Sequence, residues 1–148
     1  MNYIAYIHPD GNQWSVEFPD APGCQTFADT PSALYLAAQE ALSGWLEAHL
    51  VDGKAPPRPQ LRFTRDGAWA MNVPVPAALS SALNIRWARQ DQGLSQQQLA
   101  ERMGVTQQYV AKLENPDENP SLDTIERAAR ALGFKVDLTF SLTIPSHP

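Results

Sequence analysis

The apolar positions of this chain follow two different periods. Near the N-terminus they alternate. Residues 2–8, rich in Tyr and Ile, read as a strand, and Pro9, Asp10, Gly11 and Asn12 have the chemistry of a hairpin turn. Over residues 13–18, Trp14, Val16 and Phe18 share one face while Gln13, Ser15 and Glu17 share the other. Residues 19–23 break the chain before a third strand over residues 24–28. The period then lengthens. Asp29, Thr30 and Pro31 form a helix start with proline in the first turn. Leu34, Ala37, Ala38, Ala41, Leu42, Trp45 and His49 fall on one stripe of a helix reaching about Leu50 and closed by Asp52 and Gly53. Residues 54–60 are proline-rich and extended. Alternation returns at Trp69, Met71 and Val73, a fourth strand stopped by Pro74 and Pro76.

Beyond Pro76 the period is helical. Over residues 77–92, Ala78, Ala82, Ile85 and Ala88 form one stripe and Leu79, Leu83 and Trp87 another. Such a helix buries more than one side, and Trp87 is expected to pack on the other domain or on a second copy. Ser95 and Gln98 have the spacing of a capping box, and Leu99 and Met103 share a face one turn apart. Gly104 can end that helix in the left-handed conformation, Val105 plugs the turn, and Thr106 can cap the next helix. Val110 and Leu113 are its buried side, which leaves Gln107, Gln108, Tyr109 and Lys112 pointing outward. Asn115 and Pro116 stop it. Ser121 caps a last helix with Ile125, Ala128, Ala129 and Leu132 inward, closed by Gly133. Finally Val136, Leu138, Phe140, Leu142 and Ile144 alternate with Asp137, Thr139, Ser141 and Thr143, a half-buried strand. It needs a partner. The expectation is the same strand of a second chain, forming a dimer interface; the alternative is residues 69–73 of its own chain.

Residues 95–114, SQQQLAERMGVTQQYVAKLE, resemble the helix-turn-helix of phage-repressor-type regulators, the XRE or Cro/CI class. The resemblance implies that Gln96 touches the DNA backbone and that Thr106, Gln107, Gln108, Tyr109 and Lys112 face operator double-stranded DNA. A glutamine amide suits such a place, because it can bond bidentately to adenine N6 and N7.

Charge complicates that picture. The net is −5, where DNA binders are usually basic. The acids concentrate early: residues 1–53 hold Asp10, Glu17, Asp20, Asp29, Glu40, Glu47 and Asp52 and neither Lys nor Arg. The later half is near neutral, so one copy gains little from counterion release and a homodimer or homotetramer on paired half-sites is expected. Between them Arg58, Arg62 and Arg65 make a small basic cluster read as solvated surface. At 148 residues, one or two small domains fit. The single cysteine, Cys24, allows no internal disulfide. No run is apolar enough to span a bilayer and the N-terminus lacks the pattern of a signal peptide, so a cytoplasmic setting with no membrane partner is expected.

The N-terminal half resembles the HicB antitoxin family. The residues that carry it are WSVEFPDAPGC at 14–24, AQEALSGW at 38–45 and the proline-rich APPRP at 55–59. The resemblance implies an α+β chain: an N-terminal partial RNase H-like βββαβ domain over residues 1–53, extending to about residue 75 with the linker and fourth strand. A C-terminal all-α helix-turn-helix domain ending in a β-strand then covers residues 76–148. It also implies a HicA-type toxin as partner, a small basic ribonuclease built on a double-stranded-RNA-binding fold, and repression of the chain's own operon. An acidic domain suits the masking of a basic surface. The candidate toxin-binding residues are Asp20, Ala21, Pro22 and Gly23. The candidate dimerisation residues are Val136, Leu138, Phe140 and Leu142.

Catalysis is not expected. His8, His49 and His147 are scattered, His49 reads as a core-edge residue, and Cys24 has no partnered base. Metal-ligand spacings are lacking, and a two-metal nuclease would need clustered carboxylates that the first strand does not supply. No catalytic residue, cofactor or metal is therefore assigned. Two other readings stay open: a repressor whose N-terminal domain senses a small ligand between Trp14, Phe18 and Trp45, and an RNase H-type nuclease.

Overall fold

The computed structural model describes residues 1–60 and 69–142. In chain order the elements are β1 (Asn2–Asp10), β2 (Gln13–Glu17), β3 (Gln25–Ala28), a 3-10 turn (Pro31–Ala33), α1 (Leu34–Val51), β4 (Trp69–Pro74), α2 (Ala77–Asp91), α3 (Gln96–Met103), α4 (Gln107–Leu113) and α5 (Leu122–Ala131). The chain is α+β, with an antiparallel sheet first and helices after. The described residues divide into two compact units, one of residues 1–48, 56–60, 69–76 and 142, the other of residues 49–55 and 77–141.

In the first unit the strands lie in the order β3-β2-β1-β4, every neighbour antiparallel. Asp10 pairs with Gln13, so Gly11 and Asn12 close a two-residue hairpin. Gly11 sits at φ +61, a conformation that glycine adopts without steric cost. Side-chain alternation decides which face is buried. Tyr3, Ala5 and Ile7 of β1, Val16 of β2 and Met71 and Val73 of β4 share one face and are buried. Trp14 and Trp69, from the strands on either side of β1, stack with ring centroids 5.0 Å apart and planes 24° apart. Within α1 the buried positions are Leu34, Ala38, Leu42, Leu46 and Leu50, one every fourth residue. This sharpens the expected stripe: Ala37, Ala41, Trp45 and His49 are half-buried flanks, and Leu46 and Leu50 carry the seam. Thr30 heads the 3-10 turn, and its hydroxyl meets Ser32 rather than a backbone N–H.

In the second unit Ile85, Ala88, Leu99, Ala100, Val110, Leu113, Ala128 and Leu132 form one apolar cluster, with Leu94, Met103, Val105, Tyr109 and Ala131 at its margin. Both stripes of α2 are buried, since Leu79, Leu83 and Trp87 are covered as well as Ile85 and Ala88. Trp87 is therefore enclosed without a second copy, which corrects that half of its expectation.

The expected last strand is a further difference. Residues 134–142 make no strand pairing within the single chain, either with β4 or elsewhere among the described residues. Leu138, Phe140 and Leu142 stay exposed, Phe140 at 92% and Leu142 at 90%. Strand geometry requires a neighbouring backbone for its N–H and C=O groups, and alternation alone does not supply one. Ile144 lies outside the described residues.

Candidate nucleic-acid interface

The helix-turn-helix is built from local hydrogen bonds that its sequence announces. Ser95 sits in extended backbone at the start of α3; its hydroxyl accepts from the Gln98 N–H at 3.1 Å, and the Gln98 side-chain Oε1 accepts from the Ser95 N–H at 2.8 Å. Each bond satisfies a donor that a helix start leaves open. Gly104 ends α3 at φ +68 and ψ +34, where a Cβ would be strained. Thr106 then heads α4, its hydroxyl accepting from the Tyr109 N–H at 3.2 Å. Ser121 repeats the device before α5, accepting from the Thr124 N–H at 3.2 Å.

These caps fix which side chains face outward from α4. Thr106, Gln107, Gln108 and Lys112 are exposed, as expected. Tyr109 is not: it is half-buried at the margin of the apolar cluster, and its hydroxyl meets Thr124 Oγ1 at 3.2 Å. Its ring is hydrophobic and its hydroxyl finds a partner on α5, so the phenol ties the two helices together instead of pointing away from them. Gln96 is half-buried at the first turn of α3, and its amide donates to Glu114 Oε2 at 2.9 Å.

Glu114 belongs to a buried charged network that the sequence reading missed. It follows α4 as the C-terminal cap and is 1% exposed. Arg86 and Arg89 of α2, 5% and 8% exposed, converge on it. Glu114 Oε1 accepts from Arg86 Nε at 3.1 Å and from Arg89 Nε and Nη2 at 3.1 and 2.9 Å. The spare guanidinium N–H groups end on carbonyls: Arg86 Nη1 on Leu50 O at 2.9 Å and Lys54 O at 3.0 Å, Arg89 Nη1 on Leu94 O at 2.7 Å. A lone charge there would be intolerable, whereas this set is paired and hydrogen-bonded. One signal was available in the sequence. Arg86 and Arg89 directly follow Ile85 and Ala88 on a helix read as apolar on two sides, a place where arginine needs an anion.

In the first unit the turn carrying Asp20, Ala21, Pro22 and Gly23 is tight. The Ala21 N–H donates to Phe18 O at 3.1 Å and the Cys24 N–H to Ala21 O at 2.9 Å. Only Pro22 and Gly23 are exposed; Ala21 is buried and Asp20 is 4% exposed. Asp20 Oδ2 accepts the Gln60 N–H at 2.9 Å, and the Tyr3 hydroxyl donates to Pro57 O at 2.7 Å. Asp20 thus fastens the proline-rich stretch at Gln60, and Ala21 is buried within its own turn. Burial, with the Asp20 charge adding to it, pushes the Tyr3 phenol well above its ordinary range. Burial likewise pushes the Cys24 thiol up to about 11. Among the described residues no three His, Cys, Asp or Glu side chains gather to hold a metal ion, and no helix is long and apolar enough to cross a membrane.

Comparisons with known proteins divide along the same line. The family described as HicB-like antitoxin of bacterial toxin-antitoxin systems matches residues 3–63, and the helix-turn-helix family matches residues 85–138. Antitoxin HicB 2 of Photorhabdus laumondii is 28% identical over 138 residues, covering 93% of this chain and 95% of its own. Antitoxin HicB of Escherichia coli K12 is 28% identical over 130 residues, covering 88% and 91%. An HTH-type transcriptional regulator of Methanothermobacter thermautotrophicus is 51% identical over 49 residues, 33% of this chain and 71% of that protein. By these comparisons the chain is similar to HicB antitoxins along most of its length, with the HicB-like match in its first part, and it carries a helix-turn-helix after it.

Proposed function

We propose that this chain binds and neutralises a HicA-type ribonuclease toxin and represses its own operon by binding operator DNA. The observation that carries the reading is the presence, in one chain, of a HicB-like region and a fully capped helix-turn-helix with Gln107, Gln108 and Lys112 exposed on α4. Gln107 and Gln108 read adenine edges, Thr106 and Lys112 contact the strand beside them, and Gln96 contacts a phosphate. The acidic first 53 residues complement a basic toxin and lower its access to RNA. The toxin-facing surface includes Pro22 and Gly23, the exposed half of the turn. The chain is a binding protein and not an enzyme, and it works in the cytoplasm.

The operative form is a homodimer or a homotetramer. Val136, Leu138, Phe140 and Leu142 pair antiparallel with the same residues of a second copy, covering apolar side chains that a single chain leaves bare. Removing residues 135–148 yields monomers by sedimentation; a persistent dimer contradicts the strand interface. The ligand-sensing alternative loses ground because the Trp14 ring that it requires is stacked on Trp69.

The direct test is co-expression with the short open reading frame beside the gene, tagging one partner. The reading expects a stable complex and restored growth in cells that the neighbour alone arrests. A harmless neighbour with nothing co-purified overturns the toxin half and leaves a DNA-binding repressor.

A further inference from the structure

Glu114 is placed where its own helix disfavours it. The C-terminal carbonyls of α4 carry partial negative charge, and a buried carboxylate beside them needs cations. Arg86 and Arg89 supply two, one positive charge more than Glu114 balances, and backbone carbonyls absorb the excess. The pattern of those carbonyls is informative. Arg86 does not bond two neighbours in its own helix. It reaches Leu50 O and Lys54 O, on either side of the turn that closes α1. That turn is shaped by Gly53 at φ +73, with the Gly53 N–H on Leu50 O at 3.1 Å and the Lys54 N–H on His49 O at 2.9 Å.

On its other side the network ends on Gln96. A primary amide has two N–H groups. Glu114 takes one, which fixes the plane of the amide and therefore the aim of the other. A guanidinium is a rigid plane, so the carbonyls that hold Nη1 also determine where Nε meets the Glu114 carboxylate. We propose that the turn over residues 50–54 sets the aim of the Gln96 amide through Arg86 and Glu114, so that operator affinity depends on a turn lying outside the helix-turn-helix. Arg86 and Glu114 are positioning residues in this scheme and Gln96 is the contact. The proposal rests on the DNA-binding reading above.

The test uses the full chain and a fluorescent duplex spanning the promoter upstream of its gene, titrated over a range of salt. Gly53→Ala strains the turn by backbone conformation alone, because a Cβ there meets nothing within 4 Å. Gly11→Ala imposes the same kind of strain at φ +61 in the β1–β2 hairpin and is the control. Gly53→Ala is expected to weaken binding by about three- to tenfold, while Gly11→Ala leaves it unchanged. Gln96→Ala is expected to weaken binding with the salt slope unchanged, because a neutral amide releases no counterion. In the Gln96→Ala background Gly53→Ala should then have no further effect, a coupling that general loss of stability would not produce. Arg86→Lys, which keeps the charge and removes the fork, should repeat the pattern if thermal melting shows Gly53→Ala unfolded. The proposal is overturned if Gly53→Ala and Arg86→Lys leave binding unchanged, or weaken it equally with and without Gln96. A wild-type chain that ignores the duplex overturns the DNA reading itself, and this proposal with it.

Discussion

Asp20 and Glu114 are both buried carboxylates, and each holds a segment distant in sequence, yet they do so by different physics. Asp20, in the strand-rich unit, accepts a neutral backbone N–H from Gln60. Glu114, in the helical unit, accepts from two guanidiniums and an amide. Loss of the first acceptor strands a hydrogen-bond donor. Loss of the second strands two charges. The comparison teaches that burial alone does not rank such residues; the two buried guanidiniums that converge on Glu114 raise the cost of losing it.

The largest effect should follow Glu114→Ala, which leaves Arg86 and Arg89 buried without their anion. A loss of about 3–5 kcal/mol in denaturant unfolding is expected. Asp20→Ala should cost about 1–3 kcal/mol by the same measurement. If the two variants lost the same stability, the distinction between neutral and charged partners would fail here. Ser95→Ala removes one local cap and should cost about 1 kcal/mol, smaller than either because the N–H groups it frees are exposed to water.

A further effect is one of pH, and it falls on the strand-rich unit. The Cys24 thiol is raised from 9.0 to about 11 in the folded chain, so folding favours its protonated form. That contribution is complete below about pH 9 and is lost as pH rises through about 11. Tyr3, raised from its ordinary 10.0, acts in the same direction at still higher pH. Stability measured from pH 8 to 11 should decline, and Cys24→Ala should flatten the part of that decline due to the thiol. A wild-type profile that rises over this interval contradicts the assignment.

What was legible in the sequence was what depends on near neighbours. The order βββαβ followed from alternation and from turn residues at Gly11 and residues 19–23. The capping box at Ser95, the caps at Thr106 and Ser121, Gly104 and the buried side of α4 followed from spacing over three or four residues. Arg86 and Glu114 stand 28 residues apart, and no local rule joins them. A charged side chain on a helix is ordinarily solvated, so nothing local singled out Arg86 and Arg89. The burial of Asp20 was hidden for the same reason: a turn residue reads as exposed until its partner, 40 residues on, is known. Tyr109 failed differently. Its position on the helix suggested an outward ring, while the Thr124 hydroxyl one helix away drew it in. The tail over residues 136–142 shows the remaining limit, since its period was plain while no strand among the described residues pairs with it.

The central claim is that toxin binding and operator reading reside in different parts of the chain. The most direct test is the double variant Gln107→Ala/Gln108→Ala, assayed in parallel for capture of the co-expressed toxin and for binding to the promoter duplex. The account predicts undiminished toxin capture with operator binding lost. Loss of toxin capture together with operator binding, or operator binding that survives the double variant, would contradict it.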